Sequence, residues 1–249
     1  MSALGAGSLV VVTGAGGPAG AAVVRALVAT GATVVGADID RSRLDATTAS
    51  LGDAAVRFTG QVVDLLDAEG VRTWAHEVAA SHPSGPPRVD GVVHLVGGWR
   101  GGALFTDNTV ADAAWLHDLL VRTLQHVSLA FHDHLLASPS GRFAIVSATA
   151  TERPTAGNAA YAASKAAAEA WTMALADSFG KARPDERGGQ SAAAVVFVVK
   201  ALVHDAMREA KPDATFSGYT DVRDLAAEVV ALWDVDAATL NGTRKVLIP

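Results

Sequence analysis

Apolar residues fall along this chain in two rhythms. Short, nearly unbroken runs rich in Val, Ile and Thr recur at Leu9–Thr13, Thr33–Ala37, Val56–Thr59, Val89–Val96, Phe143–Ser147, Ala194–Val199 and Lys245–Ile248. Runs that do not alternate with polar residues predict strands covered on both faces. Between them, apolar positions recur three and four apart at about Ala19–Ala29, Arg41–Ala49, Asp67–Ala80, Ala111–Ala137, Ala159–Phe179 and Val222–Leu232. That spacing predicts helices with one buried stripe. Strands alternating with helices predict repeated βαβ units, hence an α/β fold with a doubly wound parallel sheet of about seven strands flanked by helices. No internal repeat is visible. The stretches His82–Arg88 and Lys181–Gln190 are polar or rich in Pro and Gly, but each is short and joins a helix to a strand. They read as surface connections, so residues 1–249 are expected to form a single domain.

Composition narrows the function. Hydrophobic residues make up 50% of the 249 and charged residues 18%, which excludes intrinsic disorder. The absence of cysteine excludes disulfides, a thiolate zinc site and a Cys nucleophile. A net charge of −6 argues against nucleic acid as a partner and leaves a small molecule as the expected one. Met1–Val24 lacks charge, but it also lacks a basic start and is broken by Gly5, Gly7, Gly14, Gly16, Gly17, Pro18 and Gly20. Neither a signal peptide nor a membrane span fits, and a cytoplasmic protein with no membrane partner is expected. His132-Asp133-His134 suggests metal, yet helical residues two apart point about 200° away from each other, so no metal site is expected.

The first strand runs into Gly14-Ala15-Gly16-Gly17-Pro18-Ala19-Gly20 and then into a helical stretch. A glycine turn feeding a helix N-terminus is a diphosphate site, because glycines allow close approach and the helix end offers free N–H groups. Gly14, Gly17, Pro18, Ala19 and Gly20 are the candidate contacts. The turn alone would also suit an ordinary strand–helix junction. Asp38 ends the second strand, 18 residues past Gly20, where a carboxylate can accept hydrogen bonds from an adenosine ribose and repel a 2′-phosphate. With Ile39 beside it, Asp38 favours NAD over NADP, while Arg41 and Arg43 argue the other way. Tyr161 and Lys165 stand four apart at the start of an Ala-rich helix, so phenol and ammonium share one face. A free Tyr has a pKa near 10, and Lys⁺ with a cationic nicotinamide would favour phenolate and an acid–base role.

With these pieces in order, the chain resembles the short-chain dehydrogenase/reductase family over nearly its whole length. Thr13-Gly14 with Gly20 matches its nucleotide loop, Asp64-Leu65 its pair at the adenine ring, and Tyr161 with Lys165 its catalytic pair. The resemblance implies a Rossmann-type fold, a nicotinamide cofactor over Val96 and Gly97 as well as the residues above, and a homodimer or homotetramer. The departures are specific. His94-Leu95-Val96-Gly97 stands for the family's Asn-Asn-Ala-Gly, and Lys200-Ala201 for its Pro-Gly. The family's serine position is Ala148, flanked by Ser147 and Thr149, and its helix asparagine aligns with Arg122. Ser147 is the expected partner of the substrate oxygen, with Thr149 the alternative. Arg122 is expected to turn away from Lys165 towards Asp118, four residues before it, or another carboxylate. Arg100 either orients an acidic substrate or faces solvent, and residues 200–220 are expected to form a lid. The favoured reading is an NAD(H)-dependent oxidoreductase interconverting a secondary alcohol and a ketone. The alternative is a nucleotide-binding relative with impaired turnover, acting as a sensor or partner subunit.

Overall fold

The apolar runs pair side by side in parallel. In the computed structural model, which describes residues 4–182 and 189–247, the chain order is β1 (Leu9–Thr13), α1 (Pro18–Ala29), β2 (Thr33–Asp38), α2 (Arg41–Ala49), β3 (Phe58–Val62), α3 (Ala68–Ala80) and β4 (Gly91–His94). There follow α4 (Val110–His117), α5 (Thr123–Leu136), β5 (Arg142–Ala148), α6 (Ala159–Lys181) and β6 (Ala193–Val199). The remaining elements are the short β7 (Leu202–Val203), α7 (Asp205–Ala210), β8 (Thr220–Asp221), α8 (Val222–Val230), the short α9 (Ala237–Leu240) and β9 (Thr243–Val246). Seven strands form one sheet in the order β3-β2-β1-β4-β5-β6-β9, all parallel. This is the Rossmann-type doubly wound α/β architecture.

Several boundaries differ from the sequence pattern, each for a local reason. Val56 belongs not to a strand but to a 3-10 turn over Gly52–Arg57 and is 87% exposed. Val89, Leu95 and Val96 flank β4, whose ladder ends at His94. The last strand starts two residues early, at Thr243; Ile248 lies outside the described residues, as do positions 183–188 of the Lys181–Gln190 connection. The long predicted helix Ala111–Ala137 is interrupted by a π turn over Asp118–Arg122, where the Thr123 N–H reaches back to the Asp118 carbonyl.

Burial follows from the double winding. Side chains from α3, α5 and α6, among them Trp74, Phe131 and Phe179, cover one face of the sheet. Val23 and Leu27 of α1, Leu44 of α2 and Leu225 of α8 cover the other. The strand order reverses between β1 and β4, so a crevice opens there at the carboxyl edge. The opposite edge is closed by a buried carboxylate. Asp90 accepts from the Leu9 N–H at 2.9 Å, the Ser138 hydroxyl at 2.6 Å and His82 Nε2 at 2.8 Å. The Ser84 N–H donates to His82 Nδ1 at 3.1 Å, which places the imidazole proton on Nε2, facing Asp90. Burial alone would raise the Asp90 carboxyl pKa; the bonds from Ser138, Leu9 and His82 outweigh it and hold the group below its ordinary value.

Candidate active site

The turn after β1 has glycines at which there is room only for hydrogen. Gly14 adopts φ +71°, and a Cβ there would lie 2.8 Å from the Leu95 carbonyl oxygen. A Cβ on Gly20 would stand 2.1 Å from the Gly14 oxygen, so α1 packs onto the turn only because that position is bare. Gly17 caps α1 without a side-chain bond, and Pro18 begins the helix with no N–H to offer. The Ala19 and Gly20 N–H groups are therefore the donors presented at the helix start.

Two adjoining cavities extend from this turn. One, of about 350 Å³, is bordered by Gly14, Gly17, Asp38, Ile39, Asp64, Leu65, Val96 and Gly97. The other, of about 690 Å³, is bordered by Gly14, Gly17, Pro18, Ala19, Gly20, Val96, Gly97, Ser147, Tyr161 and Lys165. Thus Tyr161, Lys165, Ser147 and every cofactor candidate named from the sequence line one or both. Asp38 Oδ2 accepts the Gly16 N–H at 3.0 Å and Oδ1 the Asp40 N–H at 3.1 Å, leaving lone pairs on both oxygens for further donors. Arg43 borders both cavities, with its guanidinium 3.4 Å from Asp40. The bare glycine turn, the uncapped helix start and the carboxylate at the end of β2 fit a dinucleotide.

Tyr161 and Lys165 share the inner face of α6, where burial is the leading influence on both. Burial pushes the Tyr161 phenol up to about 12. Burial also lowers Lys165 to about 8, with Glu169 acting to raise it. The ammonium lies 5.8 Å from the centre of the Tyr161 ring and donates to the Val146 carbonyl at 2.7 Å. Desolvation dominates both groups in the chain by itself, so the phenol keeps its proton at neutral pH.

Ser147 departs from its expected role. It is 1% exposed and donates its hydroxyl to the Glu169 carboxylate, which also accepts from Thr151 Oγ1 at 3.0 Å and from Arg244 Nε at 2.9 Å. The cause is strand alternation: Phe143, Ile145 and Ser147 share a face of β5, and α6 covers that face. Thr149, in the turn after β5, does not border the larger cavity. Asn158, which the sequence reading passed over, does. Its Oδ1 accepts the Thr155 N–H at 2.7 Å, so the other branch of its amide is the Nδ2 donor. An Asn at the start of α6, three residues before Tyr161, was the available signal.

The other departures resolve into pairs. His94 is buried; the Thr13 hydroxyl donates to Nδ1 at 2.8 Å, and Nε2 lies 3.3 Å from Thr123 Oγ1, whose own proton goes to the Leu119 carbonyl. Burial, assisted by the charge of Lys165, takes the His94 pKa to about 3 and keeps it neutral. Arg122 meets Asp118 at 3.2 Å, as its spacing predicted. Arg100 donates to Asp112 at 2.9 Å and stacks over Trp115. His132 bonds Asp133 and Ser178, and His134 bonds His76, on separate sides of α5. Among the described residues no cluster of three or more metal-ligating side chains occurs, and no helix is long and apolar enough to cross a membrane.

Comparisons with known proteins agree with this fold. The family model for short chain dehydrogenase matches residues 8–183. Among the curated proteins none matches the chain. Solved structures superpose closely despite low identity. A short chain dehydrogenase of Shigella flexneri complexed with NADP has TM-score 0.83 at 20% identity, over 99% of each chain. One from Escherichia coli complexed with NADPH has TM-score 0.83 at 20% identity, over 99% of this chain and 98% of that one. A Pseudomonas aeruginosa short chain oxidoreductase described as having an atypical catalytic center has TM-score 0.81 at 18% identity, over 96% and 95%. Identity this low carries the fold; the family model, spanning well over half the sequence, carries membership, and the chain belongs to the short-chain dehydrogenase family of oxidoreductases.

Proposed function

We propose that this chain is an NAD(H)-dependent oxidoreductase interconverting a secondary alcohol and a ketone of a small molecule. The observation that carries the reading is that Tyr161 and Lys165 open into the same cavity as the bare glycine turn. A nicotinamide bound across the crevice supplies or accepts the hydride. Its diphosphate would lie on the Ala19 and Gly20 N–H groups, its adenosine ribose against Asp38, its adenine beside Asp64 and Leu65, and its nicotinamide ribose within reach of Lys165. Cofactor choice follows from Asp38: a carboxylate at the ribose opposes the extra phosphate of NADP. Two of the structural neighbours carry NADP or NADPH, and Asp38 is the residue on which this chain's preference for NAD rests.

Tyr161 carries the proton. With its phenol raised by burial it is protonated in neutral solution and serves as the acid that delivers a proton to a ketone oxygen. In the opposite direction it must first lose that proton, which makes alcohol oxidation climb with pH. Asn158 Nδ2 is the donor we assign to the substrate oxygen, in place of Ser147. The reading with impaired turnover draws on one observation, the engagement of the Ser147 hydroxyl by Glu169.

A screen of NAD⁺ reduction over secondary alcohols, with NADH binding followed by tryptophan quenching, tests the proposal. Tyr161→Phe should abolish turnover on any substrate found and leave NADH affinity within a few fold. Undiminished turnover in that variant refutes the role of Tyr161.

A further inference from the structure

The larger cavity is charged in the opposite sense to the molecule as a whole. The chain has a net charge of −6, yet the ionised groups bordering this cavity are Arg43, Lys165 and Lys200, with no carboxylate among the described residues. His94 there is neutral. Two of the cations have places in the nucleotide reading: Arg43 also borders the adenosine side, and Lys165 stands beside Tyr161. Lys200 has none. It follows the last residue of β6 at the carboxyl edge of the sheet, and beside it the cavity wall passes into the lid through Ala201, Leu202 and Tyr219.

Lys200 is positioned but not neutralised. Its ammonium donates to the Ser217 carbonyl at 2.9 Å and lies 5.7 Å from the centre of the Tyr219 ring, an arrangement that aligns the side chain along the lid. An ammonium has three N–H donors, so two remain for an acceptor in the cavity. The same cavity is also lined by the apolar Val146, Ala150 and Leu202, which suit a short carbon chain.

We propose that Lys200 anchors a carboxylate of the substrate, so that the substrate is a small oxo acid and the corresponding hydroxy acid, with its reacting oxygen at Tyr161 and its acid group at Lys200. This rests on the oxidoreductase reading above and adds to it only what the substrate carries. A field of one sign in a partly enclosed cavity also draws such anions in.

The test pairs oxo acids of increasing chain length with their methyl esters, followed by NADH absorbance, in the native protein, Lys200→Met and Lys200→Arg. The native protein should favour an acid over its ester by about ten-fold or more in kcat/KM, the ratio should collapse towards one in Lys200→Met, and Lys200→Arg should retain most of it. An ester used as well as its acid overturns the proposal. So does a loss of NADH affinity in Lys200→Met as large as the loss for the acid, which would assign Lys200 to the cofactor. Should no ketone be reduced, the oxidoreductase reading fails, and the anion site is judged by binding of the same acids and esters to the NADH complex. Tighter binding of the acid, lost in Lys200→Met, upholds the site; equal binding of acid and ester refutes it.

Discussion

Replacing Asp90 by alanine should destabilise the protein severely without touching its cofactor site. The carboxylate is buried and accepts three hydrogen bonds, from the Leu9 N–H that starts β1, the Ser138 hydroxyl that follows α5, and His82. Removing it orphans all three donors and leaves Arg88, whose Nε lies 3.5 Å away, without its acid. Breaking a buried, charge-assisted cluster of this kind costs about 3–5 kcal/mol. At roughly 2–4 °C per kcal/mol for a chain of this size, the melting temperature should fall by about 6–20 °C at pH 7. The pH dependence carries a sign. Because the folded protein holds the Asp90 carboxyl below its ordinary 3.8, its contribution is fully present above about pH 4 and disappears as pH falls through the lower folded value. The gap between native and Asp90→Ala melting temperatures should therefore narrow on acidification below about pH 4. Calorimetric melts across pH provide the assay. A fall of less than about 3 °C at pH 7, or a gap that widens in acid, would refute the reasoning. NADH affinity measured well below the melting point should be unchanged, because Asp90 precedes β4 at the edge opposite the crevice.

Two further outcomes concern the site. Asn158→Asp keeps the acceptor that holds the Thr155 N–H but removes the amide donor, so kcat should fall by about 10²–10³-fold while NADH affinity changes little; retained turnover would show that the substrate oxygen is held elsewhere. NADH should bind at least about ten-fold more tightly than NADPH, a difference of about 1.4 kcal/mol, and Asp38→Gly should narrow the gap; equal affinities in the native protein, read by tryptophan quenching, would remove Asp38 from the cofactor assignment.

What the sequence disclosed was whatever depends on near neighbours or on period. The glycine turn, the Tyr161–Lys165 face and the Arg122–Asp118 pair are all local, and each lies where its spacing placed it. The Ser147 bond to Glu169 was not legible, because it depends on a residue 22 positions further on and on which face of β5 meets α6. Adjacent strand residues point oppositely, so Ser147, one residue from the family's serine position, meets α6 through Glu169 while still bordering the larger cavity. For Tyr161, spacing gives proximity to Lys165 but not depth, and burial dominates both groups. The π turn has no compositional signature, since it differs from an α-helix only in which carbonyl each N–H selects.

That turn also sets the reading frame of the long helical segment. Trp115 before it and Leu119 within it border the adenosine cavity; after it, Leu124, Val127, Phe131 and Leu135 look into the core. In a helix each residue advances the side chain by about 100°, so one additional residue would rotate everything downstream off its target. The wider ring at Asp118–Arg122 absorbs the additional residue on the spot, so both faces keep their phase. The chain can thus drop one residue within this turn and regain an ordinary helix, whereas the same deletion a turn later would swing Phe131 and Leu135 out of the core.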